Sequence, residues 1–275
     1  MSFDLHAHST ASDGLLAPAA LVARAVERGV TVLALTDHDD TAGLDEARAA
    51  AAGTPLELIA GVEVSTTWER HAVHVVGLGI DPAHPGLAHG LAELRAGRDA
   101  RARRIGEALA RAGIANAYEG ACRFAASDRL VSRAHFARFL VEQGRAKSTR
   151  EVFKRYLTPG KPGYVPHAWT AVGTAVNWIH AAGGQAVLAH PGRYELTATG
   201  MRRLLGDFRD AGGDAIEVVT AAHTREEYGL FAGHARTFGF LASAGSDYHG
   251  PGESPLDLGS LPALPPGLTP VWSQW

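Results

Sequence analysis

Short apolar runs alternate with helix-like stretches along most of this chain, and that alternation limits the folds it can adopt. The apolar runs predict strands over residues 3–8, 30–36, 56–64, 71–78, 186–189, 215–219 and 241–246. The helical stretches cover residues 17–27, 43–52, 170–182, 199–210 and 225–238. An unbroken apolar run such as residues 30–36 is typical of a parallel strand buried on both faces. The alternation therefore predicts an α/β fold built as a barrel.

The alternation is interrupted in the middle of the chain. A long Arg-rich helix is predicted over residues 91–112, shorter helices follow at 133–143 and 148–156, and no comparable strand returns before residue 186. Residues 159–166 contain three prolines and two glycines, which mark a boundary. We therefore predict a barrel formed by residues 1–90 and 167–275, with an inserted basic helical cap at residues 91–166. The tail, residues 251–275, is expected to be irregular and to pack on the outside.

Charge is unevenly distributed between these two parts. Residues 95–161 hold 16 of the 26 Lys and Arg but only 6 of the 29 Asp and Glu, whereas the net charge of the whole chain is -3. A basic segment beside an acidic body suggests metals in one part and an anionic ligand held by the other. The alternative is an amphipathic helix whose arginines face solvent.

The composition, with 46% hydrophobic and 20% charged residues, is typical of a soluble globular protein. The only cysteine, Cys122, excludes an internal disulfide framework and a multi-thiolate zinc site. No secretory signal is predicted, and no apolar run approaches the ~18 residues of a membrane span. We expect a cytoplasmic protein that does not bind a membrane and has no required protein partner.

Nine His, Asp and Glu residues lie at or just after predicted strand ends, where active sites of α/β barrels collect. They are His6, His8, Asp13, His38, Glu63, His74, His190, Asp247 and His249. His6 and His8 are two apart on one strand and so point to the same face. A single histidine near a strand end is more often a hydrogen-bonded core residue. Nine such groups would be costly to bury without a cation, and imidazoles with carboxylates suit Zn, Mn or Fe.

Five motifs resemble those of the polymerase and histidinol phosphatase (PHP) family. They are Asp4-Leu5-His6-Ala7-His8-Ser9, Thr36-Asp37-His38-Asp39, Gly61-Val62-Glu63, Ala189-His190-Pro191 and Ser246-Asp247-Tyr248-His249. The resemblance is strongest to the branch of 3′,5′-nucleoside bisphosphate phosphatases, which includes a 5′-to-3′ exoribonuclease of short RNA. It implies a distorted (β/α)7 barrel with an inserted small helical domain. It also implies two or three divalent metal ions, commonly manganese, with zinc or iron as alternatives.

The resemblance also implies how the ligands are shared among three metals. The first metal would be held by His6, His8, Glu63 and Asp247. The second would be held by Glu63, His74 and His190, with Glu63 as a bridge between the two. The third would be held by Asp13, His38 and His249.

Clustered divalent cations suit hydrolysis of a phosphate ester by a hydroxide that bridges the metals. No Ser-His-Asp or Cys-His arrangement is evident, which favours direct attack over a covalent intermediate. We name Asp247 as a catalytic residue, and His190 or His223 as the group that assists the leaving oxygen.

Recognition of the anionic substrate requires cationic side chains. Arg133, at the start of a cap helix, and Arg193, three residues after a ligand, are the main candidates. Lys161 and Tyr164 on the boundary loop and His135 on the helix are further candidates. For His135 the alternative is a position on the helix surface.

These features predict a phosphoesterase that converts nucleoside 3′,5′-bisphosphates, such as adenosine 3′,5′-bisphosphate, to the monophosphate and free phosphate. Short 5′-phosphorylated RNA is a second expected substrate. A phosphatase of a small metabolite such as histidinol phosphate, and a non-catalytic metal-binding accessory domain, are the alternatives. The basic segment favours a substrate with more than one phosphate.

Overall fold

A computed structural model describes residues 1–126 and 130–275. The strands are β1 Phe3–Ala7, β2 Val32–Leu35, β3 Glu57–Trp68, β4 His71–Leu78, β5 Thr170–Ala171, β6 Gln185–Leu188, β7 Ala215–Thr220 and β8 Leu241–Gly245. The helices are α1 Pro18–Glu27, α2 Leu44–Ala51, α3 Pro85–Arg111, α4 Ala117–Cys122, α5 Arg133–Glu142, α6 Thr149–Val152, α7 Val172–Ala181, α8 Ala198–Asp210 and α9 Arg225–Phe238. None of the helices described is both long and apolar enough to cross a membrane.

The strands form one sheet that curls into a nearly closed barrel. Its order is β1-β2-β3-β4-β6-β7-β8, with the short β5 beside β3. An isolated bridge joins Ala7 to Tyr248, and the amide of His8 donates to the Tyr248 carbonyl at 2.8 Å, which brings the two edges together. The predicted seven-stranded α/β barrel is thus confirmed.

One strand runs against the others. β4 is antiparallel to β3 and to β6, whereas the remaining neighbours along the barrel are parallel. β3 and β4 form a hairpin in which Trp68 pairs with His71, and Glu69 in the turn has a left-handed φ of 52°. The predicted end of β3 at residue 64 is therefore too early, because pairing with β4 extends β3 to Trp68.

The C-terminal tail closes the barrel at the end opposite the strand termini that carry the predicted ligands. Val271 is fully buried in a cluster with Leu5 and Val187, and Trp272 stacks on Phe3 with ring centroids 4.1 Å apart. The amide of Ala242 also donates to the Thr269 carbonyl at 2.9 Å. The expectation that the tail packs only on the outside is wrong for this last part, because its apolar side chains fill the end of the barrel.

The segment between β4 and β5 has a hydrophobic cluster of its own, built mainly by α3, α4 and α5. Helix α3 takes part in two clusters. Leu87 and Leu91, near its start, pack in the barrel core, whereas Ile105 and Leu109 pack against the other cap helices. Because one helix spans both clusters, the domain limits at residues 91 and 166 stay a prediction.

Buried arginines attach these helices to the mouth of the barrel. Arg98 of α3 donates to the buried carboxylate of Asp39 at 2.5 Å, and Arg138 of α5 donates to the carbonyl of Asp13 at 2.6 Å. Arg138 also pairs with Glu253 at 2.7 Å. The alternative of a wholly solvated arginine face is wrong for α3, because the Arg98 side chain is only 9% exposed.

We expect Arg98→Leu to lower the free energy of unfolding by about 3–5 kcal/mol, because it leaves a buried carboxylate without its cation. Urea denaturation of the chelator-treated protein measures this effect. Arg103→Leu is the matched control on the same helix, because the Arg103 side chain is 61% exposed and its ion pair with Asp99 lies near the surface. It should change stability little. Equal effects of the two changes would contradict the role given to Arg98.

Candidate metal centre

The nine predicted ligands converge at the mouth of the barrel around Glu63. One oxygen of this buried carboxylate, Oε2, lies 3.3 Å from His6 Nε2, 3.3 Å from His8 Nε2 and 2.8 Å from His38 Nδ1. The other oxygen, Oε1, lies 2.7 Å from His74 Nδ1 and 3.0 Å from His190 Nε2. Five imidazoles thus surround one carboxyl group.

The two aspartates complete the cluster on its other side. Asp247 Oδ1 lies 3.2 Å from His8 Nε2 and 3.5 Å from His249 Nδ1. Asp13 Oδ1 lies 3.3 Å from His249 Nε2 and 3.9 Å from His38 Nε2.

Three sets of these residues have donor atoms within 4.8 Å of one another, close enough to share a metal ion. The sets are His6, His8, Glu63 and Asp247; His8, Asp13, His38 and His249; and His38, Glu63 and His74. The first set has the same members as the first expected group. The second adds His8 to the expected third group, and the third has His38 where His190 was expected.

The strand directions explain why the ligands meet. His38, His190 and Asp247 follow the ends of β2, β6 and β8, as predicted. Glu63, in contrast, lies in the middle of β3, and the prediction that it ends the strand is wrong. His74 lies within β4, whose reversed direction carries it toward the same mouth. Tyr194 connects these elements, because its hydroxyl accepts from the His74 amide at 2.9 Å and donates to the Ala189 carbonyl at 2.8 Å.

The backbone is strained at the mouth. Asp39, His190 and Asp247 have left-handed φ values of 49°, 30° and 54°. Such conformations are unfavourable for residues other than glycine and tend to cluster at functional sites.

The electrostatics of the cluster fit a bound cation. Within the described residues, buried atoms without a hydrogen-bond partner include His6 Nε2, His8 Nε2, Asp13 Oδ1, His38 Nδ1 and Glu63 Oε2. Burial would raise the pKa of Glu63, but the neighbouring histidines outweigh it and hold that pKa well below its usual range. Burial would lower the pKa of His8, but Asp247 and Glu63 raise it to about 10. A divalent cation would take the place of such protons, since metal binding releases protons from its ligands.

A cavity of about 870 Å³ lies above this cluster, between the barrel and the cap helices. Its lining includes Arg98, Arg101, Arg133, Tyr164 and Arg193. Arg193 donates to Asp247 Oδ2 at 2.7 Å and remains half-exposed. Arg101 donates to the Val165 carbonyl at 3.0 Å, and the Arg133 guanidinium lies 5.5 Å from the centre of the Phe153 ring.

Arg101 and Arg133 are cations with no carboxylate partner in the part of the chain that the structure describes. No carboxylate among the described residues forms an ion pair with either. Burial and then neighbouring arginines lower the pKa of both side chains. Crowded, partly desolvated guanidinium groups attract an anion. Arg101 was not among the predicted residues, although its spacing of three from Arg98 puts both on one face of the helix.

Three predicted site residues, His223, Lys161 and His135, do not line this cavity. His223 accepts from the Gly192 amide at 2.9 Å through Nε2, and its Nδ1 lies 3.1 Å from the Val218 carbonyl, so both nitrogens are engaged with backbone. Its predicted role in assisting the leaving oxygen stays a prediction that these contacts do not support. Lys161 is exposed and does not line the cavity, which does not support its predicted contact with substrate.

His135 has a local structural role instead. It is buried, and its Nδ1 accepts from the Ser132 amide at 3.1 Å in a capping box at the start of α5. The alternative of a surface position is wrong, and the predicted contact with substrate is not supported, because the ring does not line the cavity.

A family model described as "PHP domain" matches residues 4–159. The chain belongs to the PHP domain family. It is 51% identical over 273 residues to the 3′,5′-nucleoside bisphosphate phosphatase of Chromobacterium violaceum, a match covering 99% of this chain and 96% of that protein. It is 49% identical over 275 residues to the 5′-3′ exoribonuclease Rnm of Salmonella typhimurium, covering 99% of this chain and 93% of that protein.

Solved structures of PHP-like proteins share the fold. An amidohydrolase from Chromobacterium violaceum, solved with bound sulfate, superimposes with a TM-score of 0.96 at 51% identity and covers 100% of this chain and 95% of its own. A protein of Bifidobacterium adolescentis, described as a proposed metal-dependent phosphoesterase, superimposes with a TM-score of 0.83 at 26% identity. The match covers 99% of this chain and 93% of that protein. The predicted PHP fold, with histidines and carboxylates able to bind metals, is therefore confirmed.

The close approach of β8 to β1 at this PHP centre depends on Gly245. A Cβ atom at this position would lie 2.3 Å from the Cβ of His6. We expect Gly245→Ala to cost about 1–3 kcal/mol of stability, as overpacking does, which thermal melting measures. Gly233→Ala in α9 is the control, because nothing lies within 4 Å of a Cβ there. It should be neutral or stabilising. A fully stable Gly245→Ala protein would contradict the proposed close contact.

Proposed function

We propose that this protein is a metal-dependent phosphoesterase that hydrolyses the 3′-phosphate of nucleoside 3′,5′-bisphosphates and also degrades short 5′-phosphorylated RNA. The observation that carries the proposal is the juxtaposition of a cluster of nine His, Asp and Glu side chains with a cavity lined by arginines, two of which, Arg101 and Arg133, pair with no carboxylate among the described residues. One part suits divalent cations and the other suits a phosphate that is not cleaved. The names of the relatives from Chromobacterium violaceum and Salmonella typhimurium support this substrate class.

We further propose three metal sites, with manganese as the physiological ion. The residues that would hold the ions are His6, His8, Asp13, His38, Glu63, His74, His190, Asp247 and His249. When bound there, divalent cations supply Lewis-acid activation of water and of the phosphoryl group. The single Cys122 favours a reducing compartment, and we propose the cytoplasm.

The side chains of this chain would orient the substrate between these two parts. Arg193 contacts both, because it lines the cavity and donates to Asp247. Arg101, Arg133 and Tyr164 would bind the uncleaved 5′-phosphate beyond it. His190 lies at the cluster, and burial lowers its pKa, so a neutral imidazole is available there. Of the two histidines expected to assist the leaving oxygen, His190 is the one at the cluster, where its neutral ring would hold a metal that stabilises that oxygen.

The alternatives have less support. A phosphatase of a small monophosphate such as histidinol phosphate would not need several arginines around a cavity of about 870 Å³. A non-catalytic accessory domain would not need the complete set of donors.

The test of the function is phosphate release from adenosine 3′,5′-bisphosphate, from a short 5′-phosphorylated RNA and from histidinol phosphate. We expect turnover of the first two substrates, its loss after chelation and its return with manganese. Asp247→Asn should lower kcat by more than the roughly 10–100-fold that loss of an outer partner of a metal ligand costs. Preference for histidinol phosphate would favour the metabolite phosphatase, and no turnover with any metal would favour the accessory domain.

The arginines should separate substrate recognition from chemistry. Loss of a charged contact typically costs about 1.5–3 kcal/mol, so Arg101→Ala and Arg133→Ala should each lower kcat/KM for the bisphosphate about 10- to 150-fold. Both should have little effect on nitrophenyl phosphate, which lacks a second phosphate. Arg193→Ala should impair both substrates, because Arg193 also contacts Asp247.

Arg111→Ala is the control for these changes, because Arg111 is exposed at the end of α3, away from the cavity. It should leave both substrates unaffected. If Arg101→Ala and Arg133→Ala reduced activity equally on both substrates, their proposed role in reading the second phosphate would be wrong.

A further inference from the structure

Glu217 is a buried carboxylate that lies outside the nine donors yet contacts two of them. It is part of β7 and only 1% exposed. Its Oε1 lies 2.7 Å from His6 Nδ1, and its Oε2 accepts from the backbone amide of His190 at 2.5 Å. We propose that Glu217 is a positioning residue that fixes both histidines for metal binding. This inference rests on the metal-binding part of the proposed function.

The contact with His6 determines which ring nitrogen faces the cluster. A carboxylate beside Nδ1 keeps a proton on that atom, so the lone pair of a neutral ring is on Nε2. His6 Nε2 is buried without a hydrogen bond and lies 3.3 Å from Glu63 Oε2 and 3.6 Å from Asp247 Oδ1. Glu217 thus holds the ring with its ligating atom directed at the other donors.

The contact with His190 acts on the backbone. His190 has a left-handed φ of 30°, which costs free energy for any residue other than glycine. The hydrogen bond from its amide to Glu217 stabilises this conformation, in which the His190 ring lies 3.0 Å from Glu63 Oε1. One carboxylate therefore connects predicted ligands of two different strands, His6 within β1 and His190 just after β6.

The local fold makes room for this carboxylate. The pairing of β7 with β8 shifts register between Glu217 and Val219, and such irregularities often redirect a side chain beside an active site. Opposite, Gly245 leaves space, because a Cβ there would lie 3.1 Å from Glu217 Oε1 as well as 2.3 Å from the His6 Cβ.

Replacing Glu217 by glutamine distinguishes positioning from space filling. Both partners donate protons to the carboxylate, but glutamine has one accepting oxygen and one donating amide. If the oxygen accepts from His190, the amide group faces His6 Nδ1. The proton of a neutral His6 ring must then move to Nε2, where it blocks metal binding. In the opposite orientation, the amide group opposes the His190 N–H.

The experiment measures the affinity of Glu217→Gln for Mn²⁺ by competition with a fluorescent chelator. It also records the visible absorption of the Co²⁺-loaded protein, which reports ligand geometry. We expect at least one metal site to weaken about 10- to 100-fold and the Co²⁺ spectrum to change. Unchanged affinity and spectrum in a folded protein would overturn the proposal.

Asp214→Asn is the matched control. The Asp214 carboxylate also contacts a histidine, His180, at 2.8 Å and accepts from a strand amide, that of Ala186, at 2.7 Å. Neither His180 nor Asp214 belongs to the metal cluster. Mn²⁺ affinity in Asp214→Asn should stay within about twofold of the wild type, well inside the effect expected of a metal-ligand partner. An equal loss in both variants would indicate general destabilisation and overturn the positioning role.

Two further variants keep the test decisive. If circular dichroism shows that Glu217→Gln does not fold, Glu217→Asp replaces it, because a carboxylate shorter by one methylene cannot hold both partners. In a protein that already carries His6→Ala, the Glu217 substitution should weaken Mn²⁺ binding less than it does in the wild type. If the two substitutions had fully independent effects on Mn²⁺ affinity, the proposal would be overturned. If the wild type bound no metal, both the proposed function and the role of Glu217 would be wrong. If the wild type and the Glu217 variants all bound metal equally well, only the role of Glu217 would be wrong.

Discussion

The fold is organised around the burial of one carboxylate, that of Glu63. A fully buried, unpaired carboxylate would be prohibitively costly, and five imidazoles from four parts of the barrel lie within 3.3 Å of its oxygens. The imidazoles in turn need neutral, deprotonated nitrogens to bind metal, which a second layer of polar contacts controls. The strained backbones of His190 and Asp247 are tolerated because the surrounding contacts over-determine them. Cation binding is the simplest way to satisfy all of these groups together.

The reversed strand β4 and the cap both contribute to the surroundings of the Glu63 cluster. In a barrel of parallel strands, only strand ends would reach the mouth. The β3–β4 hairpin projects past it and so contributes Glu63 and His74 from within strands. The cap is attached beside the same ligands, since Arg98 binds Asp39, next to His38, and Arg138 binds the Asp13 carbonyl. The cap is thereby held next to His38 and Asp13, two of the nine predicted ligands.

The sequence was sufficient to predict which His, Asp and Glu side chains lie together at the mouth and where most strands and helices fall. It was not sufficient to predict which residues contact those side chains. Apolar runs and His-rich motifs identify the barrel and the donors, because these depend on local pattern. The direction of β4 could not be predicted, since a strand has the same period of two in either direction. Glu217 was missed because a single acid within an apolar strand gives no signal until its neighbours are known. The backbone contacts of His135 and His223 could not be predicted for the same reason: a histidine that binds backbone and one that binds substrate look alike in sequence.

Charge is arranged in two layers, and this arrangement separates chemistry from recognition. The barrel mouth gathers carboxylates and imidazoles, which are able to hold cations, and the cap cavity gathers guanidinium groups, which suit anions. Arg193 is the contact between them, because it lines the cavity while bonded to Asp247. A metal centre of this kind could act on one phosphate of different molecules if the lining of the cavity beside it differed, since function lies in sites placed on a fold. Relatives about equally similar to this chain carry the names of a nucleotide phosphatase and an exoribonuclease. Both names describe cleavage of a phosphate ester, which is the chemistry that the donor cluster of this chain suits.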